Sequence, residues 1–215
     1  WFTETVKAAI GNDALNWIIK LHPANSWKMK RDGKAEEKLA ELSLIERLLG
    51  PDKKLPGHVR LMLPTSNISA WSLYEVTDFG VTVRGTVSTE LPCLGKPVFT
   101  AGTGRAHGHG FTIDSSSRQE YLDHMASIHT TPPLSEKEIM LAKRHAHAIF
   151  VRRPWIMKSF RPDYGDYSNA ANPLALNLHL AARSLEEINS NGDLRLWAEW
   201  AADPAKVDYL RPKDS

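Results

Sequence analysis

The sequence predicts an α/β fold: a Rossmann-like parallel sheet with helices on both faces, followed by extra C-terminal helices. Three observations predict it. Short apolar runs of strand type alternate with stretches of helical spacing from Asn16 to Thr100, the pattern of consecutive βαβ units. Four of those runs end in polar, glycine or proline residues, where the loops of a parallel sheet gather its ligands. The run from Val81 to Phe99 (V-T-V-R-G-T-V-S-T-E-L-P-C-L-G-K-P-V-F) reads as a strand, a hydroxyl-rich turn, a short helix and a second strand.

Taken in order, residues 3–15 carry a helical pattern that ends near Gly11 to Ala14. Asn16 to Leu21 is a strand, stopped by His22-Pro23, and Ala24 to Gly33 is a polar loop. Lys34 to Leu49 has apolar residues at 39, 42, 45, 48 and 49, which is helical spacing, with Gly50-Pro51 as its stop. Lys53 to Gly57 is a linker. His58 to Leu63 is a second strand closed by Pro64, and Thr65-Ser66-Asn67 leads into a helix from Ser69 to Val76. Asp78 to Val83 is a third strand, Thr86 to Leu94 a short helix that Pro92 should break or kink, and Lys96 to Thr100 a fourth strand.

Gly102 to Gly110 is a glycine- and histidine-rich loop. Gln119 to Ile128 and Ser135 to Phe150 are helices, the second opened by the capping box Ser135 to Glu138. Beyond Phe150 the pattern turns irregular and aromatic, and Pro173 to Glu187 and Leu194 to Ala202 read as terminal helices before a loose tail from Asp208. These changes divide the chain into a nucleotide-binding type of domain over residues 1–150 and a crossover segment with C-terminal helices over 151–215.

The strand ends supply the candidate chemistry. His22, held by Pro23, can donate to a phosphate oxygen and, when protonated, stabilise a departing phosphate; the plainer alternative is a histidine that bonds local backbone. Ser66 follows the second strand, Arg84 and Gly85 the third, and Gly104 and Arg105 the fourth. Thr86, Ser88 and Thr89 open the short helix. Thr86 is the expected cap, leaving the hydroxyls of Ser88 and Thr89 for a ligand, and Glu90 could hold ribose or sugar hydroxyls. The plainer reading makes all four residues helix-start furniture. His107 and His109 lack a third ligand nearby and read as a surface loop rather than a metal site, and His145 and His147 read as structural. The sequence shows no G-x-G-x-x-G after the first strand, no P-loop and no G-x-S-x-G elbow. No cofactor or metal is expected.

Composition narrows the classes. The chain has 215 residues, 42% hydrophobic and 24% charged, with a formal charge of only +2, ordinary for a globular α/β protein. Its Lys and Arg are scattered apart from Arg152, Arg153, Lys158 and Arg161. A nucleic-acid binder shows a broader basic face, so no nucleic-acid partner is expected. That basic stretch, with Trp155 and Phe160, reads as a crossover towards a partner domain; the alternative is a face for an anionic polymer or a membrane. The single cysteine, Cys93, reads as a buried thiol in a reducing, cytoplasmic compartment. No apolar run approaches the roughly 18 residues of a membrane span. Trp1 in place of a methionine suits a fragment or a domain of a longer protein.

His22-Pro23, T-S-N-I-S-A-W-S-L-Y-E-V-T-D (65–78), the run from Val81 to Phe99 and G-F-T-I-D (110–114) together resemble bacterial capsule polysaccharide biosynthesis proteins, the capsular glycosyltransferases that include β-Kdo transferases. The resemblance covers roughly residues 16–155. It implies one half of a GT-B fold, the half that binds a nucleotide-sugar donor without a metal. It implies a CMP-type donor such as CMP-Kdo, a lipid-linked glycan acceptor, and peripheral association with the inner face of the inner membrane. Carried over, His22 and the pair Ser88 and Thr89 would hold the donor phosphate, and Glu90 the ribose or sugar. The acceptor-side domain with its general base would lie outside this chain, so the chain alone should catalyse poorly. Pro92 departs from the family's ordinary helix formers at that place. Alternatives are a teichoic-acid type of transferase using CDP-linked donors, a UDP-GlcNAc 2-epimerase-like enzyme, and a non-catalytic partner in capsule assembly or polysaccharide transport.

Overall fold

A computed structural model describes residues 1–25, 33, 39–50, 54–163, 177–203 and 205. Two compact units divide it, Trp1–Ala146 and His147–Ser215. In the first, α1 (Phe2–Gly11) precedes β1 (Trp17–Lys20), α2 (Ala40–Leu49), β2 (Val59–Met62), α3 (Ala70–Val76), β3 (Gly80–Thr82), α4 (Val87–Glu90), β4 (Val98–Thr100), β5 (Ile113–Asp114), α5 (Arg118–Ser127) and α6 (Glu136–His147). The loop read over Ala24 to Gly33 and the first turn of the helix read from Lys34 lie largely outside the described residues.

Every strand pair in the first unit is parallel, but the strands form two sheets, β1-β2 and β3-β4-β5. This corrects the expectation of one continuous sheet. β1 and β3 instead line a cavity of about 430 Å³, together with α1 and Ile128. Apolar side chains from both sheets meet on one cluster. The Trp17 indole N–H donates to the Asn12 carbonyl at 3.0 Å, and Trp17, Phe79 and Val81 pack on one buried cluster of Phe99, Tyr121, Met125 and Ile128.

The period-2 alternation of β4 explains why helices cover both faces of the three-stranded sheet. Phe99 packs with Tyr121, Met125 and Ile128 from the α5 side and with Ala8 of α1. Its neighbour Val98 points the other way, into Tyr74 and Leu91, with Ala70 of α3 and Val87 of α4 against them. α1 and α5 are also tied by polar contacts, Thr5 Oγ1 to Tyr121 Oη at 2.6 Å and Arg118 to Glu4 at 3.0 Å.

Local signals act where the sequence places them. Ser69 accepts the Ser72 N–H at 3.0 Å and caps α3. Ser135 and Glu138 form their reciprocal box before α6. Gly50, at φ +68°, ends α2 in a conformation that disfavours other residues. Pro92 does break the short helix: α4 has four residues, and a 3-10 turn follows over Pro92–Leu94. The two-residue strand β5 is absent from the sequence reading, because its length carries no periodicity.

In the second unit, a π-helical turn over Ala148–Arg152 leads to β6 (Phe160–Asp163), which pairs antiparallel with β7 (Asn177–Leu180). The helix expected from Pro173 to Glu187 is therefore corrected: Asn177–Leu180 is a strand, and α7 spans only Leu185–Asn191. Ser184 begins it by accepting the Glu187 N–H at 3.1 Å. α8 (Asp193–Ala202) follows Gly192. Among the described residues, no helix is long and apolar enough to cross a membrane.

Asp193 anchors this unit. Its buried carboxylate accepts the N–H groups of Lys158 and Ser159, each at 2.8 Å, and the Ser159 hydroxyl at 2.6 Å. Burial raises its pKa, but the Ser159 hydroxyl and the N–H groups of Ser159, Lys158 and Leu194 outweigh that and lower it to about 2. The folded pKa lies below the ordinary value of about 3.9, so the carboxylate's stabilisation is present above that value and is lost as pH falls through about 2. Asp193→Ala is expected to destabilise the second unit by about 2–3 kcal/mol at neutral pH and to remove this acid dependence. Urea melts from pH 2 to 7, followed by tryptophan fluorescence, measure both.

Candidate functional site

Register brings Thr82, Thr100 and Asp114 to the carboxyl ends of β3, β4 and β5. Two loops leave there, Val83 to Thr86 and Ala101 to Gly110. Ala101 N–H donates to the Thr82 carbonyl at 3.0 Å, and Arg84 Nε donates to the Thr103 carbonyl at 3.3 Å. The loops then press together at Gly104, where a Cβ would stand 2.6 Å from the Val83 carbonyl oxygen. Only glycine permits that approach.

Asp114 clamps the longer loop. One carboxylate oxygen accepts the Thr100 and Thr112 hydroxyls, each at 2.8 Å, and the other accepts the Gly108 N–H at 2.7 Å. His107 Nδ1 lies 3.6 Å from it. Farther along, His109 stacks on Phe111 and lies 4.4 Å from the His145 ring. Burial, then the neighbouring His109 and Arg105, hold the His145 pKa below the usual histidine range, so this ring is neutral at pH 7. Among the described residues, no group of three or more His, Cys, Asp or Glu side chains is placed to hold a metal ion.

The structure thus brings Arg84, Gly85 and Thr86 on one loop against Thr103 and Gly104 on the other, with Arg105 next in the chain and beside His145. Arg84, Gly85, Thr86 and Arg105 are exposed. The roles expected of the hydroxyls fall differently. Thr86 makes no side-chain cap bond and is the hydroxyl on the surface. Ser88 and Thr89 are 1% and 0% exposed. Ser88 Oγ donates to the Gly85 carbonyl at 2.8 Å, and Thr89 Oγ1 has no hydrogen-bond partner among the described residues. Glu90 accepts the Tyr74 hydroxyl proton. Burial, then the bond to Glu90 and its charge, raise the Tyr74 pKa, which keeps the phenol protonated.

His22, Pro23 and Ser66 stand at the ends of β1 and β2, in the other sheet. His22 and Pro23 are exposed and Ser66 is half-buried. His22 Nδ1 accepts the Ala24 N–H at 3.0 Å. That bond is the plain backbone role, and it also fixes the tautomer: the proton of the neutral ring sits on Nε2, which becomes a donor. None of the expected site residues lines the cavity between β1 and β3. Cys93 donates its thiol to the Thr89 carbonyl at 3.2 Å, and burial pushes its pKa up, which disfavours the nucleophilic thiolate.

Sequence reasoning quoted Asp114, Tyr74 and Trp71 only within longer stretches and gave none of them a role. Asp114 is signalled by the polar T-I-D ending of a glycine loop, Tyr74 by its place on an amphipathic helix, and Trp71 by nothing but its type. Lys20 adds a further tie, its Nζ donating to the Ile68 carbonyl at 3.4 Å.

No family model, curated protein or solved structure matches this chain.

Two substitutions test the geometry. Gly104→Ala should force the loops apart and lower stability by about 1–3 kcal/mol, the usual range for overpacking, read by thermal melting. Thr89→Val should be neutral or stabilising in the same assay, because it replaces a buried, unpartnered hydroxyl with a methyl of similar size.

Proposed function

We propose that the first unit binds a nucleotide sugar as the donor-side part of a capsule polysaccharide glycosyltransferase. The donor is of CMP type, with Kdo as the leading sugar, and the reaction is a single displacement onto a lipid-linked glycan at the inner face of the inner membrane. The observation that carries this reading is the meeting, at Gly104, of the two loops that leave the carboxyl ends of β3 and β4. Arg84, anchored through Nε to Thr103, keeps the two terminal nitrogens of its fork unengaged among the described residues. Arg105 is exposed on the facing loop. Guanidinium forks in such a place suit phosphate oxygens. Gly85 and Gly104 let the ligand and the loops come close, and Thr86 offers a hydroxyl.

His22 serves as a donor through Nε2–H. In the displacement, the bond from the anomeric carbon to the phosphate oxygen breaks as the acceptor hydroxyl oxygen bonds that carbon and gives its proton to a general base that none of these residues supplies. The CMP phosphate leaves with the electron pair, and donors on its oxygens lower the barrier. The burial of Ser88 and Thr89 supports a second reading, a non-catalytic partner in capsule assembly or export, because it removes two expected phosphate donors from the surface.

Titration of the chain with CMP, UDP, CDP-glycerol and UDP-GlcNAc by calorimetry separates these readings. CMP is expected to bind best, with about a tenfold loss, near 1.4 kcal/mol, in Arg84→Ala and a comparable loss in His22→Ala. Preference for CDP-glycerol or UDP-GlcNAc would point to the transferase or epimerase alternatives, and indifference to every nucleotide would leave the non-catalytic partner.

A further inference from the structure

We infer that the tip of the longer loop, at His109, is an acid-operated latch: near neutral pH it rests on α6 through His145, and it lets go when the His145 ring takes up a proton. The latch goes beyond the donor-site reading and needs no ligand to work.

Three rings make the contact. His109 lies 4.4 Å from His145 and stacks on Phe111, and Phe111 lies 5.1 Å from His145. Phe111 is 1% exposed and packs with Ala106 and Ala142, which roots the cluster in a buried contact between the loop and α6. His109 itself is exposed, between Gly108 and Gly110 at φ +78° and +79°. Asp114 holds the Gly108 N–H at 2.7 Å, so the loop is fastened just before His109.

A proton on His145 has nowhere to place its charge. Nε2 is buried and has no hydrogen-bond partner among the described residues. The bond to the Arg105 backbone favours the charged ring; since Nε2 is without a partner, Nδ1 makes that bond and Nε2 is the nitrogen left to take the proton. A buried N–H without an acceptor is costly. The charged groups facing the ring are His109 and Arg105 of the loop, and both oppose a second positive charge. On α6 its neighbours in the chain are Lys143, Arg144 and His147, while Glu136 and Glu138 stand in the first turn. Cys93 packs on the same buried patch, and burial keeps its thiol protonated. Asp114 of β5 is engaged by Thr100, Thr112 and Gly108. Swinging His109 away lets water reach Nε2 and separates the cations.

The sign follows from linkage. The closed ring holds its proton less well than an ordinary histidine near 6.5, so the open state binds more protons. Each step of acid below about 6.5 favours opening until the closed ring itself titrates. His107 responds the other way. Its Nδ1 lies 3.6 Å from Asp114, so a proton there draws it to the carboxylate. Acid therefore tightens the loop before Gly108 while loosening it beyond.

Amide exchange of the full chain, followed by NMR and corrected for intrinsic rates, tests this at about pH 7.5 and about pH 5, where ordinary carboxylates stay ionised. The His109 N–H donates to the Ala106 carbonyl at 3.4 Å. Its protection is expected to fall by at least about threefold in acid, with that of the Gly108 N–H unchanged or raised. In His145→Phe, which keeps a ring against His109 and Phe111 and takes no proton, protection at position 109 should be the same at both pH values. A smaller loss in wild type, an equal loss in His145→Phe, or a parallel loss at Gly108 overturns the latch. Thermal melting checks that His145→Phe folds. Where it does not, His109→Phe decides: with one facing cation removed, the loss at position 109 should begin at lower pH than in wild type, and an unmoved onset overturns the latch.

Discussion

The first unit depends on the burial of β4. Val98, Phe99 and Thr100 are 0%, 1% and 1% exposed, and their alternation assigns each flanking helix a face: α1 and α5 to Phe99, α3 and α4 to Val98. Because β3 and β5 both pair with β4 in parallel, their carboxyl ends share an edge, and the loops that leave them must meet there. The last side chain of β4 extends the constraint outward. Thr100 is buried, so its hydroxyl needs a partner; it donates to Asp114, which in turn holds Thr112 and Gly108. A packing requirement in the core thus becomes the anchor of an exposed loop.

The same economy acts on the carboxylates of these elements. Glu90 and Asp114 are both committed to donors of the protein, Tyr74 in one case and Thr100, Thr112 and Gly108 in the other. A carboxylate with such donors is held in place and is less available to a ligand's hydroxyls. Arg84 and Arg105 are the exposed charges of the two loops, Val83 to Thr86 and Ala101 to Gly110. In water-like dielectric their Coulomb attraction for an anion is small, so discrimination has to come from fork geometry and from contacts with the rest of the ligand.

Much of the architecture was legible because its signals are local. The strands β1 to β4 are apolar runs with punctuation; Ser69, the Ser135–Glu138 box, Gly50 and Pro92 each act through neighbours within a turn. What escaped is non-local. β5 has two residues and exists only because β4 offers an edge. Asn177–Leu180 has residues that suit a helix, and only its pairing with Phe160–Asp163 makes it a strand. The site shows the same division. Proximity of Arg84 to Gly104 followed from the parallel topology, but the fate of the α4 hydroxyls did not. Helix type places Ser88 and Thr89 near a turn, whereas packing decides that they face inward and Thr86 outward. The exposure of Trp71 was illegible for the opposite reason, since an apolar residue in a helix is ordinarily read as core.

The seam between β1 and β3 separates His22 from Arg84. They belong to different sheets, joined by Trp17, Phe79 and Val81 on a common cluster and by no main-chain ladder. Ladder hydrogen bonds are directional and fall off steeply with misalignment, while apolar contact is non-directional. A joint made of side chains therefore resists a small relative displacement less steeply than a paired strand would. In the proposed donor site, a ligand bonded to both His22 and Arg84 would therefore span a joint that no strand pairing fixes.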